Sequence, residues 1–147
     1  MKRAEFPGDR WSGHVSFPGG SEESVDPDMF STAVRETREE VGLDLLTQAR
    51  PLGRLNTTNT RARSPIRPLM IVPFVFELQQ PVTLRLSAEA VESFWLPLDP
   101  AFSGSFDETY HHPFGPVRMK FPSWHYQGKV VWGLTYNMLQ DLRGRKT

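Results

Sequence analysis

Apolar side chains recur at helical spacing in two stretches of the chain. In Met29–Val41 they return every three or four residues, which predicts an amphipathic helix, and Gly42 follows as a residue that commonly ends one. The same spacing predicts a C-terminal helix over Val130–Leu142. Each of these helices has one apolar stripe to bury.

Alternating or continuous apolar runs predict five strands. They lie at His14–Phe17, Leu52–Leu55, Leu69–Leu78, Val82–Leu86 and Val91–Leu96. Pro73 interrupts the longest run and marks a bulge or an edge. Polar and proline-rich segments predict loops at Asn56–Pro68 and Pro100–Pro122. Strands around two helices, without strict alternation, predict a single α/β (α+β) domain over residues 1–147.

The composition excludes several kinds of chemistry. Lys and Arg number 17 and Asp and Glu number 17, so the chain lacks the positive field of a duplex nucleic-acid binder. Cysteine is absent, which excludes thiol catalysis, disulfides and cysteine-ligated zinc. No apolar run approaches the ~20 residues of a membrane span, and Met1–Glu5 is no signal-peptide core. We therefore expect an intracellular, cytoplasmic protein that does not bind membranes.

The charges are unevenly distributed along the chain. Ser21–Asp44 contains eight acidic residues and two arginines, whereas Leu45–Phe76 contains five arginines. An acidic block that binds cations and a basic block that binds anions together suit metal-bound phosphates. The alternative is that the acidic block and the basic block are both surfaces exposed to water, without a ligand.

Three carboxylates share one arc of the first predicted helix. Glu36, Glu39 and Glu40 are three or four residues apart, so their side chains lie above one another. Like charges in this arrangement repel unless a hard cation such as Mg²⁺ or Mn²⁺ binds their oxygens. Arg35 precedes Glu39 by four residues and is placed to neutralise or orient it. If these residues are taken alone, the alternative to a metal site is a Glu-rich helix face that is simply exposed to water.

These residues resemble the Nudix box, G-x5-E-x7-R-E-U-x-E-E-x-G-U, in which U is a bulky aliphatic residue. Here Gly20, five residues, Asp26 and eight more residues precede the run Arg35-Glu36-Thr37-Arg38-Glu39-Glu40-Val41-Gly42-Leu43. Asp26 replaces the first Glu, the loop holds one extra residue, and Thr37 replaces an aliphatic residue. The resemblance implies a Nudix α/β/α sandwich with a mixed β-sheet.

A narrower resemblance, to the coenzyme A diphosphatase group of Nudix hydrolases, extends over most of the chain. It is carried by Trp11–Gly20, Ala33–Thr37, Pro73–Phe76, Glu89–Leu98 and Trp132–Tyr136. The amino-terminal signature of that group is matched only by Arg3-Ala4. The usual first strand is therefore expected to be missing. A sheet edge left open in this way favours association, so a homodimer is expected.

The resemblance implies metal-dependent hydrolysis of a nucleoside diphosphate linked to another moiety. In its narrow form the substrate is coenzyme A or acyl-coenzyme A, and the products are 3′,5′-ADP and (acyl-)phosphopantetheine. One alternative is another nucleotide substrate: ADP-ribose, a dinucleoside polyphosphate or an oxidised nucleotide. The other alternative is an inactive Nudix-fold binding module.

The resemblance also implies roles for individual residues. The implied ligands of Mg²⁺ or Mn²⁺ are Glu36, Glu39, Glu40 and the carbonyl of Gly19. The implied catalytic residues are Arg35, Glu36, Glu39 and Glu89. Arg35 orients a helix carboxylate. The general base is either a Glu of the box or a Glu from a distant loop, for which Glu89 is the first candidate and Glu92 the second.

Substrate binding is expected to involve basic and aromatic side chains. The arginines expected to meet phosphates are Arg54, Arg61, Arg63 and Arg67, for which a solvated basic loop is the alternative. Four aromatic residues are candidates to stack on adenine: Phe74, Phe76, Trp124 and Tyr126. For Phe74 and Phe76, core packing is the favoured alternative. The adjacent pair His111-His112 lacks the spacing of a metal site.

Overall fold

The computed structural model describes residues 1–8, 12–60 and 69–145. In chain order its elements are β1 Lys2–Arg3, α1 Met29–Val41, α2 Leu45–Gln48, β2 Ala49–Arg54, β3 Thr58–Thr60, β4 Leu69–Ile71, β5 Phe74–Leu78, β6 Ala90–Glu92, α3 Leu98–Phe102, β7 Asp107–Phe114, β8 Val117–Tyr126, β9 Lys129–Trp132 and α4 Gly133–Arg145. The predicted α/β class is confirmed. Every strand pair in the described ranges is antiparallel: β1 with β6, β2 with β5, β3 with β4, and the three-stranded order β7-β8-β9.

The chain forms two compact units, which we name by their place in the sequence. The central unit is Pro18–Ser87, and the flanking unit combines Met1–Phe17 with Ala88–Thr147. The central unit contains α1, α2 and β2 to β5, whereas the flanking unit contains the remaining elements. Within the part of the chain that the structure describes, no helix is long and apolar enough to cross a bilayer.

Helix α1 has the bounds that its apolar spacing predicts. Asp28 caps its start, because the side chain of Asp28 accepts a hydrogen bond from the N–H of Ser31 at 2.7 Å. Gly42 ends it in the left-handed conformation, with φ of 70°, and donates its N–H to the carbonyl of Arg38 at 3.0 Å. On the apolar side, the ring of Phe30 lies 5.5 Å from the rings of both Phe74 and Phe76 in β5. This aromatic contact fixes α1 on the β2–β5 pair.

Several predicted strands and loops are corrected by the structure. The apolar run Leu69–Leu78 is divided at Pro73 into β4 and β5. The predicted strand Val82–Leu86 has no regular secondary structure, and His14–Phe17 contributes a single bridge from Val15 to Lys2. The predicted loop Asn56–Pro68 begins with β3, while its residues 61–68 lie outside the described ranges.

The largest correction is the hairpin of β7 and β8, which replaces most of the loop predicted over Pro100–Pro122. Proline removes a backbone donor, so its frequency in this segment argues against a central strand. The pairing avoids that cost, because Pro113 lies in the edge strand β7 and Pro122 lies just before the residues of β8 that pair with β9. Between the strands, Gly115 adopts a φ of 60°, which suits glycine in the turn. The C-terminal helix begins only at Gly133, because Lys129–Trp132 forms β9.

The core of the flanking unit is built around Trp124. Its side chain is fully buried, and its Nε1–H donates to Asp107 Oδ1 at 2.8 Å. The other buried members of this cluster are Ala101, Val131 and Leu139. Helices α3 and α4 therefore share one apolar core with β8 and β9.

We expect Trp124→Ala to destabilise the fold, because it empties a buried aromatic site that the surrounding side chains cannot refill. The expected loss in the free energy of unfolding is about 3–5 kcal/mol, measured by urea denaturation. Trp95→Ala is the matched control, since the side chain of Trp95 is 63% exposed, and its expected effect is within about 0.5 kcal/mol. Equal losses for the two variants would contradict this assignment of the core.

Candidate active site

The candidate site lies in the central unit, where the loop after Pro18 meets helix α1. The N–H of Gly19 donates to Glu40 Oε2 at 2.8 Å, and Glu40 is only 2% exposed. Gly20 lies directly against the carboxylate of Glu36, so closely that a Cβ on Gly20 would overlap that carboxylate. The loop and the helix are therefore joined through two of the predicted carboxylates.

Arg35 is the centre of the charged network. Its Nη1 donates to Glu36 Oε1 and to Glu39 Oε2, both at 3.0 Å. Its other side binds Asp26, with Nε to Oδ1 at 3.0 Å and Nη2 to Oδ2 at 2.9 Å. Nη2 also donates to the carbonyl of Ser21 at 3.1 Å. One guanidinium thus holds the loop and two helix carboxylates, as its planar fork of five donors allows.

Asp26 joins the loop to Arg35. Its side chain is 4% exposed, and Oδ2 also accepts hydrogen bonds from the N–H of Glu23 at 2.9 Å and the hydroxyl of Thr32 at 3.1 Å. The hydrogen bond from Arg35, followed by that from the backbone at Glu23, holds the pKa of Asp26 well below its ordinary value. The same Asp26–Arg35 bond raises the pKa of the guanidinium. Both groups are therefore charged at every physiological pH.

We expect the stability of the protein to fall when the pH drops below about 4, in part because Asp26 becomes protonated. A carboxylate whose pKa is lower in the folded chain stabilises fully above its unfolded pKa, and this contribution is lost as the pH falls towards the folded value. Asp26→Asn is expected to be less stable at pH 7 and to show a shallower loss in acid. Urea denaturation at a series of pH values measures both curves. Parallel curves would show that Asp26 does not contribute.

The carboxylates of α1 also have the chemistry of a divalent cation site. Among the described residues, no group of three or more histidine, aspartate or glutamate side chains is arranged around a metal position. Instead, Glu36 and Glu39 converge on one cationic nitrogen of Arg35, and Glu40 accepts from Gly19. Oxygen donors that meet at one positive group suit Mg²⁺ or Mn²⁺, which prefer carboxylates and water. The three carboxylates fit such an ion in donor type, and two of them, Glu36 and Glu39, converge on one point.

The remaining predicted site residues belong to other elements, to the flanking unit or to the part of the chain that the structure does not describe. Arg54 ends β2 opposite Phe74, with its side chain exposed. Glu89 belongs to the flanking unit, where its carbonyl accepts from the N–H of Ala4 at 2.8 Å. Glu92, also in that unit, forms an ion pair with Lys129 at 2.7 Å. Three predicted phosphate ligands lie outside the described residues: Arg61, Arg63 and Arg67.

The aromatic candidates for adenine stacking are used in packing. Phe74 and Phe76 pack on Phe30, and Trp124 is buried in the core of the flanking unit. Tyr126 lies 4.9 Å from the ring of Phe106. Core packing, the alternative favoured for Phe74 and Phe76, accounts for their contacts with Phe30. The stacking expected of Trp124 is corrected, because its fully buried ring cannot meet adenine.

Two residues of the site were not singled out by sequence reasoning. Asp28 caps α1, and an Asp just before an apolar helical pattern is a signal that could have identified it. Thr32 is 5% exposed and bonds to Asp26, which lies six residues earlier in a loop of irregular conformation. Since no sequence periodicity relates a loop residue to a helix residue, only the structure reveals this contact.

Comparisons with known proteins find a matching family model and similar proteins. The family model described as "NUDIX domain" matches residues 1–115. A Yersinia pestis protein named "Uncharacterized Nudix hydrolase NudL" is 30% identical over 136 residues, which cover 89% of this chain and 63% of that protein. A Schizosaccharomyces pombe protein named "Uncharacterized protein C14C4.10c" is 40% identical over 95 residues, covering 61% of this chain and 28% of that protein. The chain thus spans less than two thirds of the length of either relative.

Proposed function

Because this chain belongs to the Nudix family, we propose that it hydrolyses the diphosphate linkage of a small nucleotide with Mg²⁺ or Mn²⁺ bound at α1. One observation carries the proposal: Glu36 and Glu39 converge on the single nitrogen Arg35 Nη1, each at 3.0 Å. A helix face built only to be solvated does not need a buried Asp26 to fix the arginine between its carboxylates. The family match spans the central unit and parts of the flanking unit, which supports one domain over residues 1–147.

The metal ligands proposed are Glu36, Glu39, Glu40 and the carbonyl of Gly19. When bound, a divalent cation neutralises diphosphate charge and lowers the pKa of water. Glu40 is held by the N–H of Gly19, so the buried carboxylate and the loop backbone have fixed positions before substrate binds. Glu39 is the most exposed of the three carboxylates, with a side chain 58% exposed.

Arg35 is proposed to orient the carboxylates and to hold the loop in place. Its bonds to Asp26 anchor the guanidinium, so its remaining Nη1 presents a constant direction to Glu36 and Glu39. Preorganisation of this kind removes the cost of arranging charged groups during the reaction.

Glu89 is proposed as the general base on the strength of the resemblance to the coenzyme A diphosphatase group. Glu92, the second candidate, already forms an ion pair with Lys129. A Glu of the box remains the alternative. Comparing the pH dependence of kcat for Glu89→Gln and Glu92→Gln tests the choice, because removal of the base abolishes the acidic limb of the profile.

The proposed substrate is coenzyme A or an acyl derivative, which carries a 3′-phosphate beyond the diphosphate. Support comes from the sequence segments that resemble the coenzyme A diphosphatase group. Arginines are suited to such phosphates because they bind two oxygens at once. The proposed phosphate ligands are Arg54, Arg61, Arg63 and Arg67. A homodimer is proposed as well, and sedimentation of the purified chain tests it.

The test of the proposed function is product analysis with a panel of substrates. The purified chain is incubated with Mg²⁺ or Mn²⁺ and with coenzyme A, acetyl-coenzyme A, ADP-ribose and a dinucleoside polyphosphate, and products are identified by mass. Release of 3′,5′-ADP and a phosphopantetheine is the expected result. Cleavage of a different substrate would retain the diphosphate chemistry and overturn coenzyme A. Binding of Mn²⁺ without turnover of any substrate would favour a binding module.

A further inference from the structure

We infer that Thr32 is a positioning residue of this site, acting through Asp26 and Arg35. The inference rests on the proposed function. The side chain of Thr32 is in the first turns of α1 and is 5% exposed. Its hydroxyl donates to Asp26 Oδ2 at 3.1 Å and lies 3.2 Å from the carbonyl of Asp28. The hydroxyl thus joins the helix to the loop that leads into it.

The role follows from the way Asp26 is held. Asp26 is separated from Arg35 by one residue more than in the Nudix pattern. The side chain of Asp26 is also one methylene shorter than the Glu of that pattern. A longer loop can adopt more conformations, so additional contacts are needed to hold the Asp26 carboxylate against Arg35. Oδ2 receives two contacts besides Arg35, from the N–H of Glu23 and the hydroxyl of Thr32. Among the described residues, Thr32 and Arg35 are the two residues of α1 that bond to this carboxylate.

Through this chain of bonds, Thr32 determines where Nη1 of Arg35 points. Asp26 fixes Nε and Nη2 of Arg35, and the planar guanidinium then directs Nη1 at the carboxylates of Glu36 and Glu39. Removal of the Thr32 hydroxyl removes no group that is proposed to contact substrate or metal. Its effect is therefore expected on the rate of the reaction and not on substrate affinity.

The test compares two buried threonines of the same helix. Thr32→Val removes the bond to Asp26 while keeping the shape of the side chain, and we expect kcat to fall about 10–100-fold, as for other residues that orient a catalytic group. Thr37→Val is the matched control, because the Thr37 hydroxyl donates only to the helix carbonyl of Ala33, at 2.7 Å, and its kcat is expected to stay within about twofold. Thr32→Ser should restore most of the rate, and KM should change little in all three variants. Unchanged kcat in Thr32→Val would overturn the inference.

A double-mutant cycle separates this role from simple support of the helix. If Thr32 acts through Asp26, then Thr32→Val has no further effect on kcat in an Asp26→Ala background. If it acts through the carbonyl of Asp28, the full effect persists in that background, which would overturn the inference.

A second measurement does not depend on turnover. The Nε–H of Arg35 donates to Asp26 at 3.0 Å, so its NMR signal should be sharp and protected from exchange with water in the unmodified chain. Thr32→Val should broaden that signal and Thr37→Val should not. If no substrate is cleaved, the proposed function fails while this comparison still decides the role of Thr32. An unchanged Arg35 signal in Thr32→Val would refute that role.

Discussion

Glu39→Gln is expected to reduce kcat by about 10²–10⁴-fold, the usual range when a carboxylate that takes part in the reaction is neutralised. Glutamine preserves the size of the side chain and removes the negative charge that a divalent cation requires. The fold should be unaffected, because the side chain is 58% exposed and Arg35 keeps its bonds to Asp26 and Glu36. Kinetics with the substrate found in the product analysis, together with urea denaturation, measure both expectations.

Glu22→Gln is the control for the loss of one charge. Glu22 lies in the same acidic block, and its side chain is exposed in the loop before α1. Electron paramagnetic resonance of Mn²⁺ gives a readout that needs no substrate: Glu39→Gln should weaken Mn²⁺ binding and Glu22→Gln should not. Similar losses of activity in both variants would mean that overall charge, and not a ligand position, sets the rate. Full activity in Glu39→Gln would move the metal site elsewhere.

The sequence was sufficient for helix α1 and insufficient for the hairpin of β7 and β8. The bounds of α1 follow from local rules alone, namely the apolar spacing within Met29–Val41 and the glycine at its end. The hairpin depends on which strands lie beside it. Pro113 and Pro122 are compatible with a sheet only because no neighbouring strand requires their missing N–H groups. This condition depends on the order of the strands, which local sequence patterns do not reveal.

The candidate site, like the fold, could be predicted from the sequence only in part. The shared arc of Glu36, Glu39 and Glu40 could be derived from helical geometry, and the approach of Arg35 to Glu39 from their spacing. The direction of each bond could not be derived from spacing. Glu40 turns to the backbone of Gly19, whereas Glu36 and Glu39 turn to Arg35. Burial explains why Glu40 needs a donor within the protein, since it is only 2% exposed.

The loop at Gly19 and Gly20 therefore fits the carboxylates of Glu40 and Glu36 in hydrogen bonding and in shape. The backbone of Gly19 satisfies the buried carboxylate, and the missing side chain of Gly20 leaves the space that the carboxylate of Glu36 fills. Substitution of Gly20 should therefore affect chemistry more than stability, because the atoms that a new side chain displaces are the end of the flexible Glu36 side chain.

Gly20→Ala is expected to reduce kcat/KM about 100-fold, the loss that follows when a catalytic group is misplaced by about 1 Å. The added Cβ overlaps the carboxylate of Glu36, which must move away from Arg35 Nη1. Gly20 does not have a positive φ, so alanine causes no backbone strain there. Because the displaced carboxylate is the far end of a flexible side chain, the free energy of unfolding should change by less than about 1 kcal/mol.

Gly144→Ala is the matched control for this substitution. Gly144 lies in α4 with an ordinary φ and nothing within 4 Å of the added methyl group. Alanine there should leave turnover unchanged and should stabilise α4 slightly, because alanine has the higher helix propensity. A second variant, Gly20→Ala combined with Glu36→Asp, shortens the displaced side chain and should recover part of the lost rate if the overlap is the cause. Normal turnover in Gly20→Ala would show that the position of the Glu36 carboxylate does not limit the reaction, and the assignment of Glu36 would then have to be abandoned.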